Sequence, residues 1–419
     1  MAPLIGCIAD DFTGASDVAS SLRAGGVRTL VSFKATRPDN LKDYGAVVFA
    51  LKSRSIEVKD AIAQSLKALA VCRNIGAARI YFKYCSTFDS TRKGNIGPVI
   101  DALLTEMNEK VTIVCPSFPD NERTVYQGYL FVKDRLLSET HMRHHPLNPM
   151  SESNLIKWLE YQSESDIEHL PLSVVEEGAS AIKKKIAQNV GPQRKIFVVD
   201  AINESHLREI AAAADGMALV TGGSALSEYL PQAYRANGLL ENEGAAIEFA
   251  SPLGRTICLS GSCSEMTLNQ LENAPSSFPK FQLTPELCVS FDSAVDKAMV
   301  WLAKQDETST PIIYSSANNE SLRHSKSVLG DRSSAVFEKI LAEIALRSRA
   351  LGFTKFIVAG GETSGAILTA LDVSAVEIGP SVAQGVPITC TSDGEEAFIM
   401  KSGNFGGERF FEEAKDALG

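Results

Sequence analysis

At 419 residues the chain is longer than one hydrophobic core usually serves, because single cores stop growing near roughly 250–300 residues, so two domains are the first expectation. Hydrophobic residues at 44% and charged residues at 22% are ordinary for a globular protein and exclude disorder, collagen-like repeats and coiled coil. The formal charge of −10 argues against a general nucleic-acid binder, whose affinity comes from neutralising many phosphates, and no apolar stretch reaches the ~18–20 residues of a membrane span.

The opening, MAPLIGCIADDFTG, has no basic region and meets Asp10 and Asp11 too soon for a signal peptide. A cytoplasmic protein with no membrane or nucleic-acid partner is expected. The eight cysteines are dispersed without a Cys-x-x-Cys pair, which signals neither zinc nor a redox dithiol. A homo-oligomer is compatible with the sequence but is not specified by it.

Along the chain one unit recurs: a short β-branched apolar run, a turn of Gly, Ser, Thr or Asp, then an amphipathic helical pattern. Strands are predicted at 4–9, 46–50, 79–84, 111–115, 195–200 and 217–221, then at 256–260, 311–314, 355–359, 376–378 and 397–401. Such alternation predicts an α/β fold of two domains, each with a mainly parallel sheet flanked by helices, and an active site in the cleft between them. Gly and charged residues in 235–254 interrupt the pattern and place the boundary near residue 250, giving domains 1–250 and 251–419. Residues 138–170 read as a polar excursion with one helix near 155–161. They contain the histidine cluster His141, His144 and His145, which lacks a helical i,i+4 pair and reads as a surface or product contact rather than a metal site.

In open α/β sheets ligands bind outside the carboxyl ends of strands, so the residues after each apolar run carry the chemistry. The first run ends in Asp10-Asp11-Phe12-Thr13-Gly14. One carboxylate can cap the following helix, and two exceed that need, which makes them candidates for a substrate hydroxyl, a base or a metal contact. The second run delivers Lys52 and Arg54 with nothing obviously acidic beside them, and Arg54 could grip a carboxylate by paired hydrogen bonds. The third opens into Lys83-Tyr84-Cys85-Ser86-Thr87-Phe88-Asp89, continuing to a helix beginning near Val99. Its hydroxyls and charges could orient a polyhydroxy acid, although Asp89 could equally form an Asx-turn.

The second half differs in character: Ser260-Gly261-Ser262 follows one strand and Gly360-Gly361-Glu362-Thr363 another, each leading into a helix. Glycine lets backbone N–H groups approach an anion, and a helix N-terminus adds unsatisfied donors, so both loops are candidate phosphate cradles, together with the Gly403 segment. Thr221-Gly222-Gly223-Ser224 is a further loop of this kind, for which tight turn chemistry is an equal explanation. Neither a Walker element nor G-x-G-x-x-G is present.

IADDFTGASD at 8–17, LKSRS at 51–55, FKYCSTFDST at 82–91 with GNIGPV following, HPLNPM at 145–150, LSGSCS at 259–264, AGGETSG at 359–365 and KSGNFG at 401–406 together resemble the four-carbon acid sugar kinases, formerly a family of unknown function. The likeness runs over nearly the whole chain and is greatest to the 3-oxo-tetronate branch. It implies an N-terminal sugar-acid domain, a C-terminal nucleotide domain, ATP as donor, and transfer to the terminal hydroxyl of a four-carbon acid. By motif, it puts substrate contacts on Asp11, Arg54, Lys83, Tyr84, Cys85 and Ser86, with Asp10 beside them. It puts nucleotide contacts on Ser260 or Ser262, Gly360, Gly361, Glu362, Thr363 and Gly403. Asp11 and Lys83 are the expected catalytic residues, Asp11 orienting or deprotonating the hydroxyl while Lys83 and Arg54 screen charge. Mg²⁺ would accompany ATP, its protein ligands unknown, with Asp10 one candidate. A threonate or erythronate kinase, a nucleotide-dependent hydroxy-acid dehydrogenase and a non-catalytic sugar-acid sensor are the competing readings.

Overall fold

The computed structural model describes residues 3–145, 148–241, 249–383 and 385–419. Pro146 and Leu147 of the HPLNPM stretch, and 242–248 within the expected boundary segment, lie outside the described residues. The chain forms two compact units, Met1–Glu248 and Phe249–Gly419.

In the first unit the strands are β1 (Ile5–Ala9), β2 (Thr29–Ser32), β3 (Ala46–Ala50), β4 (Arg79–Lys83), β5 (Val111–Cys115), β6 (Arg123–Tyr126), β7 (Tyr129–Val132), β8 (Arg135–Leu136), β9 (Asp166–Leu170), β10 (Lys195–Val199) and β11 (Leu219–Gly222). Within it the order β2-β3-β1-β4-β11-β5-β10-β9 is parallel throughout, and β6, β7 and β8 form a separate antiparallel sheet. The central strands are apolar on both faces because helices cover both, as parallel sheets require. Helix Phe12–Ala24, for example, buries Ala15, Val18, Ala19 and Leu22, one face at helical spacing. The excursion holds helix Leu155–Glu160 but also β9, whose half-polar pattern DIEHL belongs to an edge strand.

In the second unit β12 (Arg255–Ser260), β13 (Lys280–Gln282), β14 (Ile312–Tyr314), β15 (Phe353–Ala359), β16 (Ala375–Ala383), β17 (Val386–Thr391) and β18 (Ala397–Lys401) take the order β13-β14-β12-β15-β18-β17-β16. From β13 to β18 the pairing is parallel, while β17 runs antiparallel to both its neighbours. Its core packs Cys258, Ile357, Ile399 and Val386 against Phe410, Phe411 and Leu418 of the last helix. In each unit the order reverses beside the first strand, β1 or β12, so the loops at that reversal open outward at the carboxyl ends.

Candidate active site

Strand register brings the first-unit loops together. Ala9 pairs with Ala50 and with Lys83, and Lys83 pairs with Gly222, so the residues that follow β1, β3, β4 and β11 emerge side by side. Asp11 is the N-cap of helix Phe12–Ala24, its Oδ1 accepting from the Gly14 N–H at 2.9 Å and from Arg54 Nη2 at 2.7 Å. Asp11 Oδ2 has no partner among the described residues, and the side chain is 29% exposed. Burial pushes the Asp11 carboxyl above its ordinary value, with Arg54 and then Lys83 pulling the other way and Asp10 adding to the rise.

Arg54 differs from the sequence expectation. It sits among three carboxylates: Nε and Nη2 each donate to Asp10 at 2.9 Å, Nη2 also reaches Asp11, and Nη1 lies 3.9 Å from Asp89. The paired edge expected to grip a substrate carboxylate is taken by Asp10, because adjacent parallel strands set their first loop residues next to each other. Only Nη1 remains for a ligand. The Asp10 and Asp11 carboxylates hold the Arg54 guanidinium charged. Both Asp10 oxygens are likewise taken, and the residue is 5% exposed, which does not fit a Mg²⁺ ligand.

Lys83 lies buried over the first turn of helix Phe12–Ala24, and among the described residues its ammonium has neither an ion-pair partner nor a hydrogen-bond acceptor. A Cβ on Gly14 would stand 2.3 Å from Asp11 Oδ1 and 2.4 Å from Lys83 Nζ, so only glycine lets carboxylate and ammonium share this corner. Tyr84, one residue on, points to the opposite face, as a strand's period of two demands. Its ring is wholly buried against Phe82 and Phe88, and its hydroxyl meets Thr221 Oγ1 at 3.1 Å. The Tyr84 side chain is thus packed in the core, and a ligand contact by this residue would have to come from its backbone. Cys85 Sγ, Thr87 Oγ1 and Asp89 form a hydrogen-bonded chain leading back toward Arg54, and Ser86 is half-buried beside it. Asn95 ties the Arg54 loop down, Nδ2 donating to the carbonyls of Ser53, Arg54 and Ile56.

Gly222 and Gly223 are explained by packing, since a Cβ on either would meet the Cys115 or Pro116 carbonyl oxygen at 2.5 and 2.9 Å. His141 and His144 are exposed on a short turn, and the described residues include no group of three or more His, Cys, Asp or Glu side chains placed to hold a metal ion.

In the second unit Ser260, Ala359 and Lys401 stand in register on β12, β15 and β18, so the loops that follow them adjoin. They line a cavity of about 400 Å³ with Gly261, Ser262, Gly360, Gly361, Glu362, Thr363 and Gly403 on its wall. The two serines differ in position. Ser260 is buried with its hydroxyl on Ser316 at 2.8 Å, whereas Ser262 faces the cavity. Helix Gly361–Ala370 starts from Gly360 at φ +130 with no side-chain cap, which leaves its first-turn N–H groups open. Helix Glu265–Asn273, by contrast, is capped by Ser264. Thr363 is wedged between the loops: a Cβ on Gly261 or Gly360 would meet its Oγ1 at 2.3 or 2.8 Å. Uncapped donors, glycine walls and a positive dipole end suit a polyphosphate.

Several lining residues gave no signal in the sequence. Leu322, Ser325, Ser333, Phe337 and Glu338 arrive from helices Asn319–Leu329 and Ser333–Ser348, whose periodicity reads as ordinary amphipathic packing. Burial raises the Glu338 carboxyl pKa, and the like charge of Glu362 adds to it. Lys401 is a second buried ammonium, donating to Thr267 Oγ1 at 3.0 Å and to the Gly403 carbonyl at 2.8 Å, and burial pushes its pKa down to about 8.

Residues 5–230 match a family described as a sugar-binding N-terminal domain, and residues 257–411 one described as a nucleotide-binding C-terminal domain. A 3-oxo-tetronate kinase of Brucella melitensis is 41% identical over 415 residues, covering 98% of this chain and 95% of that protein. One from Pectobacterium atrosepticum is 41% identical over 419 residues, covering 98% of each. The crystal structure of a Haemophilus influenzae protein superposes with a TM-score of 0.89 at 39% identity, covering 99% of this chain and all of that one. The chain belongs to the four-carbon acid sugar kinase family.

Proposed function

We propose that this chain is a cytoplasmic ATP-dependent kinase that phosphorylates the terminal hydroxyl of 3-oxo-tetronate. Identity of about 40% along the full length with 3-oxo-tetronate kinases supports the substrate choice over other four-carbon acids. Eight free cysteines, none paired, suit a reducing compartment. The observation that carries the chemistry is a buried Lys83 ammonium, without an ion-pair or hydrogen-bond partner among the described residues, that shares the Gly14 corner with the Asp11 carboxylate, whose Oδ2 is also open among those residues: a site for an anion next to a proton acceptor.

In this reading the first unit holds the acid and the second holds ATP. Asp11 Oδ2 orients the 4-hydroxyl and accepts its proton as the hydroxyl oxygen forms a bond to the γ-phosphorus. The bond from that phosphorus to the bridging oxygen breaks, and ADP departs with the electron pair. Lys83 and Arg54 Nη1 screen the anionic groups, while Asp10, Asp89 and Asn95 keep Arg54 in place. Catalysis of this kind is alignment and charge neutralisation more than covalent help. Ser262, the open N–H groups of Gly361–Thr363 and the Gly403 loop cradle the phosphates. Mg²⁺ would offset phosphate charge, and the cavity carboxylates that fit it are Glu362 and Glu338, given its preference for one or two carboxylates plus phosphate oxygens. A coupled ADP-release assay across 3-oxo-tetronate, threonate and erythronate tests the reading. ADP release that is fastest with the 3-oxo acid is expected, and folded protein that turns over none of them defeats the proposal.

A further inference from the structure

Lys401 is among the largest side chains in the molecule that are fully buried, yet no carboxylate pairs with it among the described residues. An ammonium taken out of water without a counter-charge is unfavourable, and most buried charges in proteins are paired for that reason. Its environment is neutral: Thr267 of helix Glu265–Asn273, the Ser402 and Gly403 carbonyls, and the Phe410 ring at 5.6 Å. The Gly403 carbonyl accepts from Lys401 Nζ, from Ser264 Oγ at 2.7 Å and from Thr267 Oγ1 at 3.0 Å, so it is firmly turned inward. The described chain has no cis peptide. In a trans peptide the N–H points opposite to the C=O. The Asn404 N–H therefore points away from this cluster, and it has no acceptor among the described residues.

We propose that Lys401 is a positioning residue for the nucleotide: its ammonium pins and polarises the Gly403–Asn404 peptide so that the outward N–H side meets a phosphate, whose negative charge supplies the missing counter-charge. This rests on the nucleotide reading of the second unit. The ammonium does not touch the ligand and acts through the Gly403–Asn404 peptide, with Gly403 at the cavity wall. Neutral Ser264 and Thr267 could hold the carbonyl alone, so a charge at this point is excess for loop architecture and is explained by an anion on the other side.

The test compares Lys401→Met and Thr267→Val with the wild type by thermal shift and by titration with ADP and ATP. Lys401→Met should fold with a melting temperature no lower than wild type, because a desolvated charge is removed, and should bind both nucleotides at least about tenfold more weakly. Thr267→Val, which removes a neutral donor to the same carbonyl, should weaken binding less. Because nucleotide favours the charged ammonium, wild-type titration at pH 8 in two buffers of different ionisation enthalpy should show proton uptake that is greater than in Lys401→Met. A Lys401→Met protein that is unfolded or melts lower makes Lys401 a structural peg and overturns the proposal, as does unaltered affinity or equal proton uptake. Wild-type protein that binds neither nucleotide contradicts the nucleotide reading itself, a distinct result.

Discussion

In the proposed function the two units would recognise anions by opposite means. In the first, charge sits on side chains, with Arg54 and Lys83 interleaved with Asp10, Asp11 and Asp89 at the ends of three parallel strands. In the second, the strand-end loops offer backbone at the cavity wall, through Gly261, Gly360, Gly361 and Gly403, with an uncapped helix start and one lysine held behind the loop. The difference suits the ligands proposed. A small acid whose hydroxyls must be told apart needs directional, charged side chains and a proton acceptor. A triphosphate presents many equivalent oxygens, and repeated N–H donors serve it without adding a carboxylate-sized pocket.

The sharpest way to break this contrast is to remove the proton acceptor. Asp11→Asn should lower kcat by about 10²-fold or more, the range for a positioned general base, while ATP affinity stays near wild type. An unaltered rate removes Asp11 from the chemistry. Next in size is Gly361→Val. A Cβ at Gly361 meets no atom within 4 Å, so the substitution should leave the melting temperature of the free protein unchanged while its branches enter the cavity. ATP affinity should fall at least about tenfold, since close backbone approach is lost. Normal ATP titration by that variant contradicts the cradle. Asn95→Ala releases the Ser53, Arg54 and Ile56 carbonyls together. Stability should drop by about 1–3 kcal/mol, and KM for the acid should rise with ATP affinity spared.

The smallest effects are in pH. Asp11 must be ionised to accept a proton, and its pKa is raised, so kcat/KM should fall on the acid side at a higher pH than an unperturbed carboxylate of about 3.9 would give; Asp11→Asn should erase that limb. Lys401 has the other sign. Its folded pKa is depressed to about 8, so its contribution to the stability of the free protein is present above the unfolded value of 10.5 and is lost as pH falls through about 8. Nucleotide binding, which uses the charged form, should instead weaken as pH rises through that value. Titrations at pH 7 and pH 9 on wild type and Lys401→Met separate the two trends.

The strands that frame both clusters were legible because each is a short, largely apolar run closed by a turn. IGCIA, AVVFA, VTIVC and FTKFIVA announce themselves. Four sheet strands escaped notice for stated reasons. TLVS and KFQ are too short to stand out, DIEHL is a half-polar edge, and VPITCT has a proline at its second position. The hairpin strands β6 to β8 are only two to four residues long, too short for a period of two to show. At the site, the loops could be named one by one, but their chemistry depended on neighbours 43 and 44 residues apart in sequence, as for Arg54 with Asp11 and Asp10. Strand parity decides between Lys83, which reaches the Asp11 corner, and Tyr84, which turns into the core, while Ser260 ends its strand buried and Ser262 lies two residues on in the loop. Lys401 read as the last residue of a strand, and its burial without a counter-charge among the described residues distinguishes it.

A crystal structure with a non-hydrolysable ATP analogue and 3-oxo-tetronate tests the division of labour most directly. The account predicts phosphate oxygens on the N–H groups of Gly361–Thr363 and beside Gly403, and the acid's terminal hydroxyl within hydrogen-bond reach of Asp11 Oδ2. Phosphates seated away from the Gly360–Thr363 turn, or an acid that leaves Lys83 and Asp11 untouched, would contradict it.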